Sequence, residues 1–165
     1  MKNIHSYLVS FDSRIIHRAR KYAVPIAKFA LFLVYFWFGI LKVLETSPAS
    51  PLVVALLDRM LPFISPDLFL IAFGALEMII GILFIIPRLE RLAVFTLGLH
   101  IITTVMPLFL LQSFAWQGLG IPTLEGQYII KNILIISAGV VVLASLEPYV
   151  STKPLYRTTS EVENN

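Results

Sequence analysis

The amino-acid sequence predicts an all-α membrane protein, a four-helix bundle with both ends in the cytoplasm. Of its 165 residues, 58% are hydrophobic and only 14% are charged, with a mean hydropathy of +0.84. A soluble domain carries about 25% charged residues, so a chain this apolar could not cover its surface in water. Four apolar stretches each approach the length of about 20 residues that crosses a bilayer. We therefore expect residues 1–165 to form a single membrane domain.

The distribution of Lys and Arg predicts the orientation. Of the 13 basic residues, ten lie in the N-terminal segment, the short connection between spans two and three, or the C-terminal tail. Lys42, Arg59 and Lys131 lie on the other side. Because basic residues concentrate on the cytoplasmic side, this asymmetry predicts an N-in, C-in topology. It also argues against nucleic acid as a partner, since the basic residues follow the spans. The chain contains no cysteine, which excludes thiolate chemistry of its own.

The N-terminal segment, residues 1–24, is predicted to be cytoplasmic or interfacial. Between Ser13 and Ala23, apolar residues share one helical face while Arg14, Arg18 and Lys21 occupy the other. This pattern is typical of a cationic interfacial helix on an anionic leaflet. A solvated basic arm that serves only topology is the alternative.

The first span is predicted over residues 25–45. Ser50 followed by Pro51 is a signal for a helix start. The amphipathic helix that follows is about ten residues long, too short to span, so we place it on the outer side between spans one and two. The second span is predicted over residues 67–87.

The third span is predicted over residues 92–111. Only the sequence RLER separates it from the second span, so the two are expected to be antiparallel neighbours. The fourth span is predicted over residues 128–146. Residues 148–165 are predicted to form a polar cytoplasmic tail.

Glu77 and His100 are the two ionisable residues predicted near the bilayer midplane. A charge there costs about 2.5–3.5 kcal/mol on insertion scales, so each needs a partner or a purpose. Both lie at the same depth below the RLER connection, and we expect them to meet, as an ion pair or as a neutral hydrogen-bonded pair. We name them as a candidate proton-relay pair. The alternative is a structural contact between the two helices that has no chemical role.

A second candidate site lies at the outer ends of spans one and four. Lys42 and Lys131, with Asn132, Tyr128 and Tyr35, are predicted to hold an anion or a quinone headgroup in an outer cleft. The alternative is that both lysines snorkel to the interface without a ligand. The sequence predicts no metal site.

Three segments resemble the DoxX-like superfamily of small four-helix bacterial membrane proteins: FGILKVL, FGALEMIIGILFIIP and GQYIIKNILIISAG. The family pattern of Gly-x-x-Lys in the first helix, and Glu followed four residues later by Gly in the second, matches Gly39, Lys42, Glu77 and Gly81. The segments KVLETSPASPLV and QYIIKNI look most like the branch that contains the reactive-chlorine-resistance inner membrane proteins.

This resemblance implies a multi-pass protein of the bacterial inner membrane, linked to redox chemistry or oxidative stress. It implies functional roles for Lys42, Glu77, Lys131 and Asn132, whereas His100 matches no family motif. Quinone is the cofactor considered. A haem held by two histidines of one chain is not expected, because His100 is the only histidine in a span.

Three functions remain open from the sequence. The first is a redox-associated subunit that binds a quinone or a small oxidant in the bundle. The second is a small-molecule carrier, and the third is a structural partner of a membrane complex, which needs no enzymatic activity. The expected partners are the lipid bilayer, a membrane or peripheral redox protein, and further copies of the chain.

Overall fold

The computed structural model describes residues 2–148, with side chains from Tyr7 onward. The predicted cytoplasmic tail therefore lies, from residue 149 on, outside the described residues. Four helical segments are long and apolar enough to cross a membrane, which makes the chain a multi-pass membrane protein. They cover Tyr7–Val43, Pro66–Ile85, Glu90–Leu110 and Leu124–Ala144.

The first helix, α1, is one continuous helix from Lys2 to Val43. The predicted break between an interfacial helix and the first span is therefore absent, and the span predicted over residues 25–45 falls in the second half of α1, which ends at Val43. Pro25 lies inside the helix without ending it. No Gly, Ser, Thr, Asp or Asn lies between Arg14 and Lys28, so no residue with a strong capping preference is available there to start a new helix. At 42 residues, α1 is about 63 Å long, roughly twice the thickness of the hydrocarbon core.

The short amphipathic helix is present as α2, Ser50–Met60, and begins where the sequence predicted. The second span, α3, covers Pro66–Ile85 and begins one residue earlier than predicted. Ser65 has an extended backbone before it, and Pro66 takes the first helical position. Proline is favoured at that position because the first amides of a helix have no intrahelical acceptor.

The third span consists of two helices, α4 over Glu90–Val105 and α5 over Pro107–Leu110. It begins two residues earlier than the predicted 92–111. The interruption at Met106 follows from Pro107, which has no backbone N–H to donate to the preceding turn.

A compact connection follows α5 and contains the only strands among residues 2–148. It comprises α6, Gln112–Ala115, and an antiparallel hairpin of β1, Trp116–Gly118, and β2, Ile121–Pro122. Gly120 takes the positive φ of 72° that the turn requires. The indole of Trp116 donates to the Leu108 carbonyl at 3.0 Å, which ties the hairpin to α5. The sequence analysis did not predict this hairpin.

The fourth span also consists of two helices, α7 over Leu124–Ile130 and α8 over Asn132–Ala144. It begins four residues before the predicted 128–146, because Thr123 caps α7 by accepting from the Gly126 amide at 3.0 Å. The chain makes a single-residue turn at Lys131 between the two helices.

The four spans pack as a closed ring in which α1 contacts α3 and α8, and α4 contacts the same two helices. The expected contact between spans two and three is present. The most extensive contact of α3, however, is with α1. A core of eight buried hydrophobic residues fills the ring: Leu31, Tyr35, Ile80, Phe84, Ala93, Leu97, Ile101 and Val142.

Candidate functional site

Glycines bring α1 and α3 into backbone contact at the site. A Cβ placed on Gly39 would lie 2.6 Å from the Gly74 carbonyl oxygen, and a Cβ on Gly74 would lie 2.6 Å from the Gly39 carbonyl oxygen. About two turns further towards the termini, a Cβ on Gly81 would lie 3.0 Å from the Phe32 carbonyl oxygen. Only small residues permit such an approach between membrane helices. The predicted stripe of small residues on α3 therefore faces α1.

This approach places the Lys42 ammonium against the Glu77 carboxylate. Nζ of Lys42 donates to Oε2 of Glu77 at 2.6 Å, and both side chains are more than 90% buried. The alternative in which Lys42 snorkels to the interface is therefore wrong. Lys42 therefore pairs with Glu77, which the sequence analysis had assigned to the other candidate site.

His100 completes a polar cluster with Glu77 and Tyr35. Its Nε2 lies 3.2 Å from Oε1 of Glu77, and its Nδ1 lies 3.3 Å from the Tyr35 hydroxyl. The expected meeting of Glu77 and His100 is thus present. Nε2 is buried and, despite this distance, lies outside hydrogen-bond geometry with the carboxylate. We call the four side chains of Tyr35, Lys42, Glu77 and His100 the buried cluster.

Phe73 forms an aromatic wall for the buried cluster, and the sequence analysis missed it. Its ring stacks on the His100 ring with centroids 4.9 Å apart and planes inclined by 25°. The Lys42 Nζ lies 5.8 Å from the same ring centroid, within the range of a cation–π contact. Phe73 precedes Glu77 by four residues, so helical spacing places both on one face of α3 and could have identified it.

The buried cluster forms the floor of a cavity of about 680 Å³. The apolar face of α2 covers the cavity, with Leu52, Val53 and Leu56 among its lining residues. Most of the other lining side chains are also apolar. A volume of this size falls within the range of about 300–1,000 Å³ that is usual for small-molecule sites.

Three of the predicted ligand-binding residues lie higher in the same cavity. Tyr128 and Lys131 are exposed, and the Lys131 Nζ lies 5.2 Å from the Tyr128 ring centroid. Asn132 is half-buried, and its amide donates to the Thr104 hydroxyl at 3.4 Å. The structure therefore joins the two predicted sites into one cavity, with Glu77 and His100 at its floor and Lys131 at its rim.

The geometry of the buried cluster gives it a defined hydrogen-bonding capacity. A carboxylate beside Nε2 favours the His100 tautomer that carries its proton on Nε2, and Nδ1 then accepts from the Tyr35 hydroxyl. Lys42 and Glu77 balance each other's charge, so the cluster is neutral when His100 is neutral. Among the side chains that the structure describes, residues 7–148, no group of three or more His, Asp or Glu residues is placed to hold a metal ion.

No family model, curated protein or solved structure matches the chain.

Proposed function

We propose that the chain is a redox-associated subunit of the bacterial inner membrane that binds a quinone or a similar small oxidant in the cavity. The observation that supports this proposal is the position of the His100 Nε2. It is a buried nitrogen without a hydrogen bond, on the floor of a mostly apolar cavity. A buried polar atom of this kind needs a partner, and a ligand carbonyl or hydroxyl would provide one.

The cavity fits a quinone in three respects. Its apolar walls suit an isoprenoid body, the Phe73 ring offers a surface for stacking, and His100 with Tyr35 can hydrogen-bond an oxygen. A bound quinone or quinol exchanges two electrons and two protons, and the electrons would pass to or from a partner redox protein. The resemblance of the first, second and fourth helices to the DoxX-like superfamily supports the same assignment.

The side chains of the buried cluster would bind the ligand and exchange protons with it. Nε2 of His100 would donate a hydrogen bond to a ligand oxygen. Oε1 of Glu77, 3.2 Å from Nε2, would accept one of the two protons that a bound quinol releases on oxidation. Lys42 would hold the carboxylate in position by donating to its other oxygen, Oε2. Tyr35 would hold the imidazole in position through Nδ1. Lys131 and Asn132 would contact the part of the ligand nearest the rim.

The proposed topology is N-in and C-in, which directs the cavity to the outer side of the membrane. Ten of the 13 basic residues support it. The basic residues of the first half of α1 would then contact the anionic cytoplasmic leaflet or solvent. A reporter enzyme fused after Asn165 that proved active only outside the cytoplasm would contradict this topology.

Quinone binding tests the proposal directly. We expect purified protein to yield a quinone in its lipid extract and to bind a short-chain ubiquinone, measured by quenching of tryptophan fluorescence. His100→Gln should weaken binding by at least about tenfold, which is 1.4 kcal/mol. Its thermal midpoint should stay close to that of the native protein. Ser137→Ala is the matched control, since Ser137 is exposed and bonds only to the Ile133 carbonyl. Absence of quinone from repeated extracts, together with no measurable binding, would overturn the proposal.

A structural role for the buried cluster is the second candidate, because the Lys42–Glu77 pair joins α1 to α3 where their backbones touch. On that view the pair fixes the helix register and the cavity holds only lipid. Stability and ligand binding separate the two candidates. If the role is purely structural, variants of the cluster should lose stability and ligand binding together.

A further inference from the structure

The two ends of the bundle differ in what lies next to the buried cluster. On the side away from the termini, the cluster borders the cavity beneath α2. On the side of the termini it borders packed hydrocarbon. Helix direction fixes these positions, because α1 and α4 run away from the termini and α3 and α8 run towards them.

The layer on the terminal side is a hydrophobic plug contributed by all four spans. Each of its residues lies between the buried cluster and the terminal end of its own helix, and each is at most 3% exposed. The plug consists of Leu31, Ile80, Phe84, Ala93, Leu97 and Val142. Interiors packed to this degree leave few voids large enough for water.

Thr96 of α4 lies at the level of the plug, where its hydroxyl donates to the Leu92 and Ala93 carbonyls of its own helix. An ion pair lies beyond the plug. Lys28 donates to Glu90 at 2.8 Å, and both side chains are about one-fifth exposed. On the other side of the cluster, polar groups continue without such a layer. Thr104 and Asn132 line the cavity above His100, and the exposed Lys131 lies at the rim.

From this asymmetry we infer that the cavity exchanges ligand and water only with the face opposite the termini. The inference rests on the proposed ligand site and adds its sidedness. With the proposed topology, the ligand enters from the outer leaflet or the outer aqueous phase, and the cytoplasm has no route to His100 in this arrangement. A carrier would open to the two faces in turn, so labelling of the cavity from both faces would favour the carrier alternative.

The absence of cysteine from the native chain makes single-cysteine labelling a clean test. Thr104→Cys and Ile135→Cys report on two half-buried positions of the cavity lining. Ala93→Cys reports on the plug. Arg59→Cys and Ser10→Cys, both at exposed positions, mark the α2 face and the terminal face. Each variant is reconstituted and treated with a charged, membrane-impermeant methanethiosulfonate added to one face at a time.

We expect the two cavity cysteines to react only from the face at which Arg59→Cys reacts, and Ala93→Cys to react from neither face. Reaction of the cavity cysteines from the Ser10→Cys face, from both faces or from neither overturns the inference. Two cavity positions are used so that misfolding of one variant, seen as loss of a monodisperse elution peak, leaves the other to decide.

A further arm separates this inference from the proposed ligand. Short-chain ubiquinone, whose ring is fully substituted and does not add thiols, is present during labelling. Slower labelling of Thr104→Cys supports both statements. One-sided labelling that the quinone does not slow supports the sidedness and overturns the assigned ligand. Two-sided labelling that the quinone does slow supports the ligand and overturns the sidedness.

Discussion

Gly39 and Gly74 contact each other across α1 and α3 so closely that a Cβ on either would lie 2.6 Å from the carbonyl oxygen of the other. A side-chain rearrangement could not relieve this contact, because the atom that an added Cβ would meet belongs to the backbone of the other helix. The separation of the two helices at this level is therefore set by the absence of side chains at two positions. That separation in turn brings Lys42 within 2.6 Å of Glu77.

Gly74→Ala is expected to destabilise the protein. Overpacking of a core typically costs about 1–3 kcal/mol, and we expect a loss of at least that size. The added methyl group must separate α1 from α3, which also lengthens the Lys42–Glu77 contact. Unfolding in a series of detergent mixtures containing increasing dodecyl sulfate measures the effect.

Gly98→Ala is the matched control for the glycine prediction. Gly98 lies within α4, and a Cβ there would meet nothing within 4 Å. Because alanine favours a helix over glycine by about 1 kcal/mol, this variant should be neutral or slightly stabilised. Equal losses at Gly74 and Gly98 would show that the α1–α3 contact is not the cause.

The two partners of the buried ion pair are expected to tolerate substitution unequally. Glu77→Gln leaves Lys42 without the only ion-pair partner it has among the described residues, and a stranded buried charge costs about 3–5 kcal/mol. Lys42→Met should cost less, because Nε2 of His100 lies 3.2 Å from Oε1 of Glu77 and a small turn of the ring would bring the two into a hydrogen bond. Folded abundance in membranes and unfolding in dodecyl sulfate measure both variants.

The double variant Lys42→Met with Glu77→Gln separates a structural role from a chemical one. Removing both charges of a buried pair is often close to neutral for stability, so we expect much of the loss from Glu77→Gln to be recovered. Under the proposed function, quinone binding and turnover with the redox partner stay impaired in this stable variant. Full recovery of both would assign the pair to stability alone.

The protonation of His100 is expected to be fixed by its two neighbours. Because Glu77 lies beside Nε2 and the Tyr35 hydroxyl beside Nδ1, the neutral ring should carry its proton on Nε2. Nitrogen-15 chemical shifts of labelled His100 in nanodiscs distinguish the two tautomers. Tyr35→Phe removes the contact to Nδ1 and should produce a mixture of tautomers, with a stability loss of about 1 kcal/mol. A proton on Nδ1 in the native protein would contradict this assignment.

The four spans could be predicted from the sequence because apolar length alone identifies them, and α2 was placed because Ser50 and Pro51 form a recognisable helix start. Two features of the fold were not predicted from the sequence. The continuity of α1 was missed because amphipathic periodicity suggested a surface helix, whereas the lack of any stop signal around Pro25 decides the matter. The β1–β2 hairpin is held by the Trp116 bond to Leu108, a tertiary contact that local propensity does not reveal.

The members of the candidate site were identifiable because each is a polar residue in an apolar span, but their grouping was not. Depth along the helices brought Glu77 to His100 correctly. Depth also placed Lys42 near the outer surface, where snorkelling seemed open to it. The deciding factor was rotation of α1 about its axis, which the contact of Gly39 with Gly74 fixes and which spacing within one helix cannot determine.

A second ion pair provides a contrast that tests how burial controls these interactions. Lys28 of α1 and Glu90 of α4 lie 2.8 Å apart near the terminal end of the bundle, with side chains 20% and 19% exposed. Water reaches this pair, so Lys28→Gln or Glu90→Gln should each cost only about 0.5–1 kcal/mol. The charge-swapped variant Lys28→Glu with Glu90→Lys should recover most of that loss.

The stability contributions of the two ion pairs are expected to depend differently on salt concentration. Ions screen charges that solvent reaches, so raising sodium chloride from about 0.01 M to 1 M, which shortens the Debye length from about 30 Å to 3 Å, should narrow the difference between Lys28→Gln and the native protein. The loss caused by Glu77→Gln should stay nearly constant over the same range, because Lys42 and Glu77 are more than 90% buried. Dodecyl sulfate responds to salt by itself, so thermal midpoints in a non-ionic detergent are the measurement. An equal salt response at both sites would mean that water and ions reach the buried cluster as freely as they reach Lys28, which would contradict the low exposure of Lys42.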